Sequence, residues 1–408
     1  MAMISKIFYG SSSVVWLLII LISAAFLLAI AILLVGILYK PAYNNEVLRY
    51  FDKDFLLKAS QYNRMATTIS IARQLVTWIF LIGVTILTWK YFSISSRISI
   101  ILLAGYIALF FILLYLLLMP LDYLRGFVIE HQYGLSTQTI NSWLADFAKN
   151  KAISLVISTV SMTVLYVLMI YVTKYWWVVA GAILIIFLII ATYLYPLIID
   201  PLFYKFEPLE DKVLKAQIVE ISERAGIKVN EVLVADASRR TNKANAYFTG
   251  LGNSKRIVIF DNLLNKFSEK EALSVIVHEV SHWRYLHILK GLALSGVGGI
   301  LGIFLLKIIL GEIGLVADSR SILIIILLVS IFTFITLPVP NAISRFHEKQ
   351  ADIMTIQLTG DPETQISLMT KLADSNLSNV VPHPFIKVML YSHPPIIERI
   401  EMANQYIK

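Results

Sequence analysis

The sequence predicts an all-α, multi-pass membrane protein of seven transmembrane helices, with a small α+β domain on its water-facing side. Three observations predict it. Of 408 residues, 58% are hydrophobic and 15% charged, and the mean hydropathy is +0.74. A soluble domain carries about 25% charged residues, so most of this chain must meet lipid. Seven apolar runs, at 12–38, 76–93, 98–120, 152–173, 176–199, 291–314 and 321–340, approach or exceed the roughly 20 residues a helix needs to cross a hydrocarbon layer. Composition then changes sharply at Asp200-Pro201, where a polar stretch begins.

The same composition excludes nucleic-acid binding and intrinsic disorder as the main reading. The net charge of +8 belongs to loops beside anionic lipid. There is no cysteine, which removes disulfides, thiolate metal sites and a cysteine nucleophile.

Taken in order, the first run is too long for a signal-peptide core and no small-residue cleavage site follows it, so it reads as an anchor. Loops 39–75 and 121–151 carry Lys40, Arg49, Lys53, Lys58, Arg64, Arg73, Arg125, Lys149 and Lys151. The opposite side has little more than Lys6, Arg97, Lys174 and Arg320. The positive-inside rule makes the first side cytoplasmic, together with residues 200–290 and the tail, and puts the N-terminus outside. Four regions follow: five spans in 1–199, a cytoplasm-facing region in 200–290, a hairpin of spans six and seven in 291–340, and a helical region in 341–408. Within the second region, Glu231–Asp236 reads as a strand. Asn245–Thr249 and Arg256–Phe260 read as a hairpin around Gly250–Ser254.

The chemistry sits at the end of that region. Ser268-Glu-Lys-Glu271 has the form of a capping box, and the helix it opens contains His278-Glu279-Val-Ser-His282. Residues i and i+4 share a helix face, so both imidazoles can address one ion. Glu279 stands about 100° around the helix, where it can take a proton from a water. A chance match to this pattern is expected about 0.004 times in such a chain. Zinc suits two imidazoles and a carboxylate with one position left open.

The third ligand is expected in Ser344-Arg-Phe-His-Glu348-Lys-Gln-Ala-Asp352. Spans six and seven form a hairpin, which returns the chain to the side of the histidines. Glu348 then completes the site, and Asp352, one turn on, accepts the outer N–H of a ligand histidine. Arg345 shares that face and is expected to fix the carboxylates. His347 is the alternative ligand, about 100° off the face. His287, nine residues from His278, is expected to point away as an interfacial histidine.

His-Glu-x-x-His, a later Glu-x-x-x-Asp helix and seven spans resemble the CAAX prenyl protease 1 family of integral-membrane zinc metalloendopeptidases. Glu130-His-Gln-Tyr-Gly134, Asp200–Phe206, Ala244–Phe248, Arg256–Asp261, Ser375-Asn-Leu-Ser-Asn379 and Ser392-His-Pro-Pro395 fit its pattern in order and spacing. The resemblance implies seven helices enclosing a water-filled chamber with one Zn2+ inside, held by His278, His282 and Glu348, with Glu279 as base. It also implies cleavage after a prenylated C-terminal cysteine, with release of three residues. The end Gln405–Lys408 lacks a dilysine-type retention signal. That points to a prokaryotic source and its cell membrane; a eukaryotic source would mean the endoplasmic reticulum.

Two further segments carry paired readings. Asn245–Phe248 is either an edge strand that pairs with an extended substrate or an ordinary hairpin strand. His393 either donates to the oxyanion, with Arg399 as a carboxylate-binding partner, or caps the turn set by Pro394-Pro395. Two rival functions differ in class: a heat-shock-type membrane protease for quality control, and a non-enzymatic seven-helix transporter or receptor with a structural metal. Seven spans count against the first. The second fits poorly with charged residues nearly confined to Lys307 and Glu312 within the spans.

Overall fold

The computed structural model describes residues 12–91, 99–229, 231–316 and 318–407. Lys6 and Arg97, which entered the charge asymmetry, lie outside the described residues. The membrane part begins with α1 (Ser12–Leu38), a short α2 (Asn45–Tyr50) and the long α3 (Lys53–Tyr91). α4 (Ile100–Tyr123) starts on a Ser99 cap and continues through a π-turn at Leu124–Val128 to Gln132. α5 (Ile140–Tyr171) starts on a Thr139 cap, and α6 (Trp176–Leu194) ends in a second π-turn at Tyr195–Ile199.

The water-facing part follows as β1 (Phe206–Pro208), α7 (Lys212–Arg224), β2 (Glu231–Ala235), β3 (Ala246–Thr249), β4 (Arg256–Phe260), α8 (Asp261–Lys266) and α9 (Glu269–Arg284). The chain re-enters the membrane as α10 (His287–Glu312) and α11 (Ser321–Thr336). It closes with α12 (Pro338–Thr359), α13 (Pro362–Asn376), α14 (Pro384–Leu390) and α15 (Ile396–Asn404).

Among the described residues, six helices are long and apolar enough to cross a membrane, and the pair α11–α12, bent by 45°, supplies a seventh. Each apolar run therefore has its helix. The helices extend beyond the runs, so Arg73 and Asp122, read as loop residues, sit within α3 and α4. Only 6% to 28% of the residues in each of the six apolar windows are buried. A close-packed bundle would bury more; a wall one helix thick, open on both faces, has this profile. One close seam joins α6 to α10, where a Cβ on Gly299 would stand 2.3 Å from Leu184. Small residues let two membrane helices approach this closely.

Outside the membrane the four strands order β1-β2-β4-β3. β2 and β4 run parallel, whereas β1 pairs with β2 and β3 with β4 antiparallel. The expected hairpin is present. β1, three residues long, was not legible. β4 is buried along its whole length, and its Ile257 and Ile259 join a core with Ile276 and Val280 of α9 and Ile400 of α15. β3 is left as a sheet edge facing α9.

Candidate metal centre

α9 is set by its first turn. Ser268 Oγ accepts from Glu271 N, and Glu271 Oε2 accepts from Ser268 N at 2.8 Å, so two otherwise orphaned donors are satisfied. From there the helix carries His278 and His282 onto one face. α12 packs along it, brought back by the bend after α11, and delivers Glu348 and Asp352, both buried.

Three donor atoms converge. His278 Nε2 lies 3.2 Å from Glu348 Oε2 and 3.1 Å from His282 Nε2, and His282 Nε2 lies 3.4 Å from Glu348 Oε1. Atoms bound tetrahedrally at the usual zinc distances sit about 3.3 Å from one another. The donor set and its spacing therefore fit a small divalent ion. Two imidazole nitrogens facing each other at this distance can share one proton or one cation, and a second proton between them would clash.

Around this set lies a supporting layer. Asp352 Oδ1 is 3.0 Å from His278 Nδ1, and Arg399 grips Asp352 with Nε at 2.7 Å and Nη2 at 2.6 Å. Burial opposes a charge on His278, but hydrogen bonds to Asp352 and Glu348 outweigh it and hold the ring's pKa above the ordinary histidine value. The carboxylates thus favour a positive charge where the ion would sit. His282 goes the other way, pushed down to about 3 by burial and by His278. It remains neutral, as a ligand must be.

Glu279 faces the cavity beside the ligands. Its Oε2 accepts from Phe248 N of β3 at 3.3 Å. Burial is the main reason its carboxyl is pushed up to about 7, with Glu348 adding to the rise and His278 opposing it. His393 presents Nε2 3.4 Å from Glu348 Oε1, while its Nδ1 meets Ser392 Oγ at 2.9 Å. Solvent reaches 61% of that side chain through the cavity, yet the surrounding protein still depresses its pKa. The cavity, about 690 Å³, is lined by His278, Glu279, Glu348, Asn245, His393 and Arg399 among others.

Two expectations fail here. Arg345 does not touch the carboxylates; its Nη1 donates to the carbonyls of Lys387 at 3.1 Å and Tyr391 at 2.5 Å, so it anchors the segment that leads to His393. His287 does not point away. The helix breaks after Arg284, Leu286 takes a left-handed φ of 56°, and α10 starts afresh at His287. Its Nδ1 comes 3.0 Å from His282 Nδ1, its Nε2 lies 3.2 Å from Gln350 Oε1, and its ring stacks on His347 at 4.0 Å. His347 is thus occupied away from the three donors. Gln365 was missed altogether: it accepts from Ser274 at 2.6 Å and reaches Asp352 at 3.4 Å.

Comparison with known proteins agrees with this architecture. The family model described as "CAAX prenyl protease N-terminal, five membrane helices" matches residues 38–205, and "Peptidase family M48" matches residues 208–407. An "Uncharacterized metalloprotease YhfN" of Bacillus subtilis is 33% identical over 74% of this chain and 73% of that protein. "CAAX prenyl protease 1" of Saccharomyces cerevisiae is 31% identical over 69% and 67%, and the Homo sapiens homolog is 29% identical over 69% of each. The crystal structure of S. mikatae Ste24p superposes with a TM-score of 0.77 at 25% identity, covering 93% of this chain and 95% of that one. The chain belongs to peptidase family M48, and within it to the CAAX prenyl protease family of multi-pass membrane metalloproteases.

Proposed function

We propose that this protein is a zinc endopeptidase that removes the C-terminal tripeptide from prenylated CAAX proteins or peptides. The observation that carries the reading is one juxtaposition. Three ligand-type donors converge, and the cavity that reaches two of them, His278 and Glu348, is also lined by the base Glu279, raised toward neutrality, and by Asn245 at the start of β3.

A zinc ion held by His278, His282 and Glu348 supplies Lewis acidity toward a peptide carbonyl and a water. The protein's own residues do the rest. Phe260 N donates to Asn245 O, so Asn245 faces β4, and the backbone groups of Ala246 and Phe248 turn outward. With Phe248 N given to Glu279, the amide of Ala246 and the carbonyls of Ala246 and Phe248 can hold an extended peptide as an added strand. Glu279 takes a proton from the attacking water, whose oxygen joins the carbonyl carbon. It passes that proton to the amine as the C–N bond breaks. His393 directs Nε2 toward the place where negative charge develops on the carbonyl oxygen. Asp352 and Arg399 fix His278. The cationic loops support a cytoplasmic site with the N-terminus on the opposite face.

The test is mass spectrometry of a farnesylated CAAX peptide incubated with purified protein. Loss of three residues, abolished by chelator and restored by zinc, is expected. Preferential cleavage of an unmodified, misfolded membrane protein would replace this reading with a quality-control protease.

A further inference from the structure

The cavity does not end at the metal centre. It extends to Tyr62 of α3 and Arg125 of the α4 π-turn, where a second group of charges gathers. Glu130 accepts from Tyr62 Oη at 2.7 Å and from Arg125 Nη1 at 2.6 Å, and Lys243 Nζ lies 2.7 Å from its Oε2. Lys243 Nζ also donates to Tyr62 Oη at 3.1 Å. Two cations share one carboxylate, so the group keeps a surplus positive charge. The carboxylate side chain is only 12% exposed, whereas Arg125 and Lys243 are 35% and 32% exposed. Arg125 donates from Nη1 to Glu130 and lies over the Tyr62 ring at 5.6 Å, and its five donors exceed what these two partners take up. The group carries excess charge, and through Tyr62 and Arg125 it opens on the cavity that holds the metal centre.

Strand direction connects it to the reaction proposed above, on which this inference rests. A peptide pairing antiparallel with β3 runs against it, so its C-terminal end points back past Ala246 and Asn245 toward Lys243. With the scissile bond at Glu279, beside Phe248, three extended residues cover about 10 Å. Phe248 to Asn245 is the same count along β3. The end of a released tripeptide is thus level with Asn245, two residues from Lys243.

We infer that Arg125 and Lys243, positioned by Glu130 and Tyr62, form a receptor for the free C-terminal carboxylate of the substrate. The protein would then measure its cut from the chain end, and the strand length between receptor and base would set three as the number of residues released.

Two farnesylated CAAX peptides test this, one ending in a carboxylate and one in a carboxamide, each assayed with the full-length protein. Losing a charge-assisted contact should lower kcat/KM for the amide about ten- to hundredfold, mainly through KM. In Arg125→Ala the ratio between the two peptides should collapse toward one. Tyr62→Phe, which removes only a hydroxyl, should reduce it in part, and it covers the case in which Arg125→Ala does not fold. Equal cleavage of acid and amide by the unaltered protein overturns the receptor while leaving the protease intact. Cleavage of neither peptide overturns the protease reading, and the receptor falls with it.

Discussion

Among the described residues, Glu279 holds the one carboxylate lining the cavity that is tied neither to an arginine nor to the three converging donors. Glu279→Gln keeps its shape and removes its basicity. We expect kcat to fall by about two to four orders of magnitude while the protein still binds one metal ion per chain by elemental analysis; full activity would exclude Glu279 as the base. Its raised pKa has a direction that can be checked. The base acts only when deprotonated, so kcat/KM should decline about tenfold per unit as pH falls below an inflection at or under about 7. A pH profile flat from 5 to 8 would contradict this. The pair His278 and His282 was legible because one helical turn determines where i and i+4 point. His287 was misread because the same rule was carried across Leu286, whose left-handed backbone restarts the helix in a new direction. Nothing in the local pattern announces such a break at a leucine. Arg345 was misread for a related reason: sharing a helix face with Glu348 says nothing about which carbonyls a long side chain reaches.

Among the elements, α9 does most to organise the centre, and its first turn is more than a cap. Glu271 Oε1 accepts from Ser367 at 2.7 Å, and Oε2 accepts from Lys371 at 2.8 Å, which ties the ligand helix to α13. Burial works against the charge on Glu271, but the bonds from Lys371, Ser367 and Ser268 prevail and hold its pKa below the ordinary carboxylate value. Glu271→Ala should cost about 2–3 kcal/mol, read as a lower unfolding temperature. The stabilisation is fully present above the unfolded carboxylate pKa of about 4.3 and disappears as pH falls through the lower folded value. The gap between unaltered protein and Glu271→Ala should therefore narrow in acid; a constant gap would mean the side chain acts only by packing. The capping box and the Glu348 helix were legible, the first from local spacing and the second from hairpin topology. β1 was not, since Phe206-Glu-Pro208 is too short to show alternation, and neither was the 45° bend at Leu337-Pro338 that swings α12 against α9.

Across the whole molecule, charge follows a repeated pattern from the end of α4 to the first turns of α5. Asp122 meets Arg73 and Lys151, Glu130 meets Arg125 and Lys243, and Asp146 meets Arg240 and Lys149. Each acid is shared by two cations, so pairing leaves this face basic, as the loop charges implied. The seven spans were legible from hydropathy alone. The chamber was implied by resemblance, because periodicity cannot distinguish a helix facing lipid on one side from one facing water on the other. The three converging donors come from two helices separated by the α10–α11 hairpin, so an ion bound there clasps the membrane part to the water-facing part. Zinc at a thousand times its dissociation constant should raise apparent stability by about 4 kcal/mol over the chelated protein, measured by thermal unfolding in detergent. An unchanged unfolding temperature would mean that zinc does not bind the folded protein in preference to the unfolded chain. The same separation bears on biosynthesis. His278 and His282 leave the ribosome before the hairpin exists, and Glu348 follows it. The centre cannot close until both spans have been threaded into the bilayer and the chain has returned. A nascent chain stalled at that stage holds two of its three donors, so proteolytic power arrives only with completed insertion.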